Sequence, residues 1–323
     1  MNQTDRFSVM GFSFFGLFSN GMMDLFGFLE TARYRYGLRT VDIWNGMIER
    51  YDDDYIHLVK ENLDERGLTV ANLCCDSAGL WDDDPVRRTK KEQIARDCLR
   101  FAEGVGAKTI RFDMDCMGPS ITDEQLAYVV PKYEEYCAIA ARFGARLGPE
   151  NHTGCSRDPA SLRKVCEAVK APNFGLLLHM AEWHSGDIYE NDRFFSRWAM
   201  HTHLYYKCAV EMSDHLAEMR ALMDAQGYTG AWSVECHMGV NEYPVPADSV
   251  PLQLGAGYAG GRVQQGHGSQ PPVERKFRLR AHAHILGGAD CRGERERYQP
   301  RERHQHLVGG VRHEGHHRRG VAG

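Results

Sequence analysis

The chain has 323 residues, 42% of them hydrophobic, which is enough for one large α/β barrel or two smaller domains. No apolar run approaches the roughly 18 residues of a membrane span, and no basic segment followed by an apolar one predicts a secretory signal. We therefore expect no membrane partner. Ten cysteines without a CxxC pair predict reduced thiols and a cytoplasmic location.

The formal net charge of −5 is divided unevenly along the chain. Residues 1–246 carry 26 Lys and Arg against 37 Asp and Glu, a net charge of −11, whereas residues 247–323 carry 13 against 7, a net charge of +6. A strongly negative body opposes the approach of a phosphate backbone, so we do not expect nucleic acid as a partner. The division also predicts that the chain is not one homogeneous domain.

Eight short apolar stretches alternate with segments that have apolar residues at helical spacing. The stretches lie at 7–14, 38–44, 68–75, 107–114, 145–150, 173–179, 199–205 and 231–237. Helix starts are indicated at Asp123 and Asp158-Pro159, and helix ends at Gly67, Gly106, Gly144 and Gly227. Strands that alternate with helices imply parallel pairing, and eight such units predict a (β/α)8 TIM barrel over residues 1–243. A doubly wound sheet is the alternative, but no glycine-rich fingerprint follows the first strand.

Residues 244–323 do not continue this pattern. Three prolines by residue 251 and repeated glycines predict that the eighth helix is missing or replaced by an irregular, disordered tail. From residue 247 onward there are 14 Gly, 12 Arg, 8 His and one Lys, a composition that resembles GC-rich DNA read in a wrong frame. We hypothesise a frameshift near codon 244, which resequencing would test; the alternative is a natural basic tail that binds metal or nucleic acid. Without its eighth helix the barrel would have low stability.

Four consecutive predicted strands present a carboxylate or an imidazole near their C-terminal ends, where TIM barrels place reactive groups. Glu150 ends the fifth strand and His179 the sixth; His203 lies in the seventh and Glu235 ends the eighth. Singly, each is compatible with an ordinary ion pair or hydrogen bond. Together they predict a shared divalent cation, because buried carboxylates need partners and two Glu with two His form a common mixed ligand set.

Several stretches resemble the xylose-isomerase-like sugar phosphate isomerase/epimerase superfamily over about residues 5–243. They are ENH after strand five, HTHLYYK in strand seven and WSVEC in strand eight, together with GLRTVDIW and GLTVANLCCDSAGLWD in the second and third units. The resemblance implies a TIM barrel with one divalent metal held by Glu, Asp, His and Glu.

Carried over by motif, the resemblance places the metal ligands at Glu150, His203 and Glu235. The family's Asp falls on His179, which makes the site softer and favours Mn2+, Zn2+ or Co2+ over Mg2+. Glu182, three residues further on, is a second candidate for the missing carboxylate.

The activity that the resemblance implies is isomerisation or epimerisation of a sugar or sugar-like ketone, with a small carbohydrate as partner. Glu150 and Glu235 would be catalytic as well as metal-binding, since they would transfer the proton next to a metal-polarised carbonyl. Candidate substrate contacts are Trp81, His152, Trp183, His184 and Lys207. Each of them is also compatible with an ordinary loop residue or ion pair. Arg111 is a candidate to hold a phosphate or hydroxyl of the substrate, and it is equally compatible with an ordinary ion pair. The sequence leaves a homo-oligomer open.

Two alternative functions remain at this point. One is an endonuclease-IV-like phosphodiesterase, which needs three metal ions and more His and Asp ligands. The other is a catalytically inactive barrel, because His179 departs from the family pattern and the eighth helix is absent. Metal analysis separates them: one ion per chain favours the isomerase, three the nuclease and none the inactive barrel.

Overall fold

The computed structural model describes residues 6–205, 208, 211–236 and 242–243, which all belong to one compact unit spanning residues 1–262. The predictions of a missing eighth helix, a disordered tail and a frameshift concern residues 244–323 and lie outside the described residues.

Eight parallel strands build the centre of this unit. They are β1 (Phe7–Val9), β2 (Thr40–Trp44), β3 (Thr69–Cys75), β4 (Thr109–Phe112), β5 (Arg146–Gly148), β6 (Leu176–His179), β7 (Ala199–Leu204) and β8 (Trp232–Val234). Continuous pairing gives two four-stranded sheets in the orders β1-β8-β7-β6 and β2-β3-β4-β5. Parallel bridges from Met10 to Asp42 and from Glu150 to Leu177 join the sheets at both seams. The closed, all-parallel arrangement confirms the predicted TIM barrel.

Eight α-helices lie in the described part of the chain. They are α1 (Phe15–Ser19), α2 (Leu25–Glu30), α3 (Asp53–Glu65), α4 (Pro85–Val105), α5 (Asp123–Ala141), α6 (Pro159–Ala168), α7 (Ile188–Phe195) and α8 (Ser213–Ala225). The predicted starts are confirmed: Thr122 forms a capping box ahead of α5, and the Asp158 side chain caps α6 by accepting from the backbone N–H of Ser161. None of these helices is both long and apolar enough to cross a bilayer.

The four glycines predicted to end helices adopt left-handed backbone angles. Their φ values are 59° at Gly67, 72° at Gly106, 76° at Gly144 and 80° at Gly227. Residues with a Cβ rarely adopt left-handed backbone angles. Glycine at these positions therefore lets the chain leave each helix and turn into the next strand.

The first strand is shorter than predicted. The sequence favours a strand over 7–14, but β1 ends at Val9 and residues Gly11–Phe14 form a 3₁₀ turn. The Ser13 hydroxyl donates to the Val234 carbonyl (3.3 Å) and accepts from the Cys236 N–H (3.0 Å). A side chain therefore replaces the backbone pairing that a longer strand would have made with β8.

Candidate metal centre

Four buried side chains meet at the C-terminal ends of β5 to β8. One ligand atom from each of Glu150, His179, His203 and Glu235 lies within 4.8 Å of the others. Their exposed fractions range from 0% to 3%. The structure thus brings together all four residues that the sequence predicts as metal ligands.

Both imidazoles contact both carboxylates. His203 Nδ1 lies 3.0 Å from Glu150 Oε1 and 2.9 Å from Glu235 Oε2. His179 Nδ1 lies 2.9 Å from Glu150 Oε1 and 3.8 Å from Glu235 Oε2. The four groups therefore surround one small volume.

Electrostatics keep the two glutamates ionised although they are buried. Burial alone would raise the pKa of the Glu150 carboxyl, but positive charge at His152 and His203 lowers it well below its usual value. Burial opposes ionisation of Glu235 as well, and His203 lowers its pKa. In turn, burial would lower the pKa of His203, but Glu150 and Glu235 raise it well above its usual value. The carboxylates thus depend on adjacent positive charge, which a divalent cation also provides.

The Gly148-Pro149 step explains how β5 delivers Glu150 beside β6. A β-carbon at Gly148 would lie 1.7 Å from the Gly175 carbonyl oxygen, so only glycine permits this close approach of the two backbones. Pro149 has no N–H for the strand ladder, and β5 ends before it. Its carbonyl still accepts from the Leu177 N–H at 2.9 Å, which keeps the chain against β6 as far as Glu150.

Asn151 fixes the position of Glu150 relative to His179. Its side-chain amide donates to the His179 carbonyl (2.8 Å), and its Oδ1 accepts from the His179 N–H (2.7 Å). The side chain thereby continues the pairing between two strands beyond the point where the backbone ladder stops. Sequence reasoning gave Asn151 no role of its own.

Asp42, in the middle of β2, supports the centre from within the barrel. Its Oδ2 lies 2.9 Å from His203 Nε2 and 2.6 Å from His201 Nε2, and its Oδ1 accepts from the Asn72 amide at 2.9 Å. Asp42 is fully buried. A carboxylate that accepts from one nitrogen of a ligating histidine fixes the ring and its tautomer, so His203 directs Nδ1 at the two glutamates. Sequence reasoning missed Asp42; the available signal was a lone Asp within the apolar strand TVDIW.

Arg111, on β4, forms the ordinary ion pairs that the sequence left as one alternative. Its guanidinium contacts Asp113 at 2.5 Å and Asp76 at 2.6 Å, and its Nε lies 3.3 Å from Glu150 Oε2. Its side chain is 2% exposed. The arginine therefore balances acidic groups beside the centre.

Glu182, the other candidate for the missing family carboxylate, points elsewhere. Its Oε2 lies 3.0 Å from the Arg157 guanidinium, and it is outside the four-residue group. His179 occupies that position in the group.

Of the predicted substrate contacts, His152 lies beside the centre. Its Nδ1 is 3.4 Å from Asp113 Oδ2 and 3.9 Å from Glu150 Oε2. Its ring is stacked against His179 with centroids 6.4 Å apart. It is thus placed to contact a molecule bound at the four-residue group.

The two tryptophans among the predicted substrate contacts each have partners within the protein. The Trp81 N–H donates to Asp83 at 2.9 Å. The Trp183 N–H donates to Asp192 at 2.8 Å, and its ring stacks on Phe195 with centroids 4.7 Å apart. Each tryptophan is 6% exposed, and their role as substrate contacts stays a prediction.

Two further predicted contacts stay predictions as well. The backbone N–H of His184 donates to the Arg157 carbonyl at 3.0 Å, which fixes the chain there but assigns no role to the imidazole. Lys207 lies outside the described residues.

The donor set fits a divalent cation. Two carboxylates and two imidazoles are a mixed oxygen and nitrogen set that suits Zn2+, Co2+ or Mn2+. His179 Nε2 is buried and has no hydrogen-bond partner within the described residues, and Glu150 Oε2 has only ion-pair contacts there, the shortest with Arg111 at 3.3 Å. Buried polar atoms are seldom left in this state, and a bound ion would account for it.

Comparison with known proteins supports the same assignment of the fold. No curated protein matches the sequence. The solved structure of 3-keto-D-glucoside 4-epimerase YcjR from E. coli is 16% identical, with a TM-score of 0.57 over 70% of this chain and 93% of that one. An L-ribulose 3-epimerase is 13% identical, with a TM-score of 0.60 over 77% of this chain and 94% of that one. A xylose isomerase-like TIM barrel protein from Mycobacterium smegmatis, solved in complex with magnesium, is 16% identical, with a TM-score of 0.57 over 70% and 85% of the two chains.

At these identities the structural likeness establishes the fold alone. The family is shown by a match between the sequence and a family model. The model of the xylose isomerase-like TIM barrel family matches residues 32–250, more than half of the chain. The chain therefore belongs to the xylose isomerase-like TIM barrel family.

Proposed function

We propose that the protein is a divalent-metal-dependent isomerase or epimerase of a ketose or related keto-sugar. The observation that carries this proposal is the group of four buried side chains whose ligand atoms lie within 4.8 Å of one another. The family and the epimerases among its structural neighbours support it. One metal ion per chain, a small carbohydrate partner and a cytoplasmic location belong to the same proposal.

The reaction requires a proton to leave one carbon of the sugar and another to return. A divalent cation bound at the centre would polarise the carbonyl and adjacent hydroxyl of the sugar and thereby acidify the C–H bond beside the carbonyl. One of Glu150 and Glu235, as a carboxylate, accepts that proton while the electron pair of the C–H bond moves toward the carbonyl. The other glutamate, ionised at rest, takes up a proton from water and returns it to the sugar. Delivery to the same carbon from the opposite face gives the epimer, and delivery to the neighbouring carbon gives the isomer.

The chain's other residues would position these two groups. Asp42 orients His203, and Asn151 keeps Glu150 beside His179. His152, between Asp113 and the centre, is assigned to a sugar hydroxyl. Trp81, Trp183, His184 and Lys207 are proposed as further contacts to the sugar.

Deuterium exchange tests the reaction type. The full-length protein is incubated with Mn2+, Co2+ or Zn2+ in D2O with a panel of ketoses, and NMR measures deuterium at the carbon next to the carbonyl. We expect Glu150→Gln to lower the rate by about 100-fold or more, because the amide cannot accept the proton. Glu182→Gln, which changes a carboxylate engaged by Arg157, serves as the control and retains exchange.

The outcomes separate this function from its alternatives. Unchanged exchange in Glu150→Gln would remove that residue from the proton transfer. Metal analysis showing one ion per chain supports the isomerase, whereas three ions would favour a phosphodiesterase and none an inactive barrel.

The metal preference is tested by restoring the family's carboxylate. His179→Asp replaces a nitrogen ligand by an oxygen ligand, and we expect activation by Mg2+ relative to Zn2+ to rise about tenfold. An unchanged order of metals in this variant would show that His179 does not set the preference.

A further inference from the structure

The end of the barrel opposite the metal centre contains a cavity with a volume of about 630 Å³. Its lining includes residues at or just before the starts of six strands: Arg6, Thr40, Thr69, Thr109, Arg146 and Ala231. All strands are parallel, so their starts meet at one mouth, while Glu150 and Glu235 follow strand ends at the other mouth. The volume is within the range of small-molecule sites.

Positive charge dominates this cavity. Four cationic side chains line it, Arg6, Arg39, Lys108 and Arg146, and none of its lining residues carries a carboxylate. The net charge of residues 1–246 is −11, so this concentration of cations runs against the overall balance of the barrel.

Arg146 holds a positive charge that no described carboxylate neutralises. Its guanidinium donates to the backbone carbonyls of Ala199 (3.1 Å), Phe174 (3.2 Å) and Trp198 (3.3 Å). Burial lowers the pKa of Arg146, which shows that the charge is partly removed from water. A fixed, partly desolvated guanidinium is a favourable place for an anion, because the cost of holding it there is already met by the fold.

Lys108 and Arg6 also line the cavity, and they differ in whether a carboxylate pairs with them. Lys108, exposed directly before β4, forms no ion pair with any described residue. Arg6 is anchored by Asp224 at 2.7 Å and by the Tyr228 carbonyl at 2.9 Å. The cavity thus has two cations free of carboxylate partners, Lys108 and Arg146, beside a third that is held in place.

We infer that the N-terminal mouth of the barrel binds a small polyanion that carries phosphate or clustered carboxylate groups. Guanidinium groups match the geometry of both, and the ammonium of Lys108 adds a mobile charge. This site is separate from the metal centre and does not depend on the proposed catalytic function.

Calorimetric titration of the full-length protein tests the site, with inorganic phosphate and tricarballylate as probes at constant ionic strength. We expect saturable binding of at least one probe, and the tighter of the two identifies phosphate or carboxylate as the preferred group. Lys108→Glu should weaken that binding about tenfold or more, because it replaces attraction by repulsion at short range. Lys164→Glu makes the same charge change at an exposed position on α6 and should bind like the unaltered protein.

A second variant guards against an effect on folding. Arg39→Gln removes another lining charge without reversing it and should weaken binding about threefold or more. Absence of saturable binding of both probes would overturn the inference. Equal affinities in Lys108→Glu and Lys164→Glu would overturn it too, since binding would then lie elsewhere on the protein.

Discussion

The two mouths of this barrel differ in the side chains that they gather. The C-terminal mouth holds Glu150 and Glu235 with two imidazoles, and the N-terminal mouth holds cations such as Lys108 and Arg146. Parallel strands make this separation possible, because every strand start lies at one end and every strand end at the other. Position along a strand therefore decides which chemical environment a side chain joins.

A continuous chain of buried hydrogen bonds links the two ends. Thr109, which lines the N-terminal cavity, donates to Asn72 Oδ1 at 2.7 Å, and Asn72 donates to Asp42 Oδ1 at 2.9 Å. Asp42 in turn lies 2.9 Å from His203 of the metal centre. The barrel interior is thus polar along this line, and each buried group in it forms a hydrogen bond with the next.

Metal removal should have the largest effect and should act at one mouth only. We expect chelation to lower deuterium exchange about 1,000-fold, which corresponds to the several kcal/mol of charge stabilisation that a metal supplies. Adding back Mn2+, Co2+ or Zn2+ should restore it. Tricarballylate binding should be the same before and after chelation; its loss would place that ligand at the metal centre and break the comparison.

Asp42→Asn should weaken the centre from the interior. A neutral amide is a weaker hydrogen-bond acceptor for His203 and His201 than the carboxylate is. We therefore expect metal affinity to fall about 10- to 100-fold. Competition with a chromophoric chelator measures this. Asp54→Asn, an exposed position on α3, is the matched control. Equal affinities in the two variants would show that Asp42 does not support His203.

Arg146→Met should lower stability rather than metal binding. Three backbone carbonyls lose their donor, and we expect the free energy of unfolding to fall by about 1–2 kcal/mol. The shift of the denaturant midpoint measures it, with exposed Arg142→Met as the control. If Arg146→Met is as stable as this control, water replaces the guanidinium at no cost in stability. If Arg146→Met instead loses metal affinity, the two mouths are energetically coupled.

The sequence predicted the scaffold well because its signals are local. Glycines such as Gly106 end helices through a single backbone angle, and Thr122 and Asp158 cap helices within three residues. The early end of β1 was not predictable in this way. It depends on Ser13 meeting β8, more than 200 residues further along the chain.

The candidate site shows the same division. Glu150, His179, His203 and Glu235 were predictable because each stands at or near the end of an apolar strand. Asp42 and Asn151 were not, since their roles arise from partners on other strands.

By itself, the sequence determined the barrel and the residue types at the ends of its strands, because alternation, capping and helix ends act over a few residues. Only the tertiary structure decided which of those residues meet. It joined Glu150 to His203, turned Glu182 toward Arg157 and gathered the cations of the N-terminal mouth. The physical reason is that contacts between distant strands depend on closure of the barrel, which sets the distance and direction of each side chain.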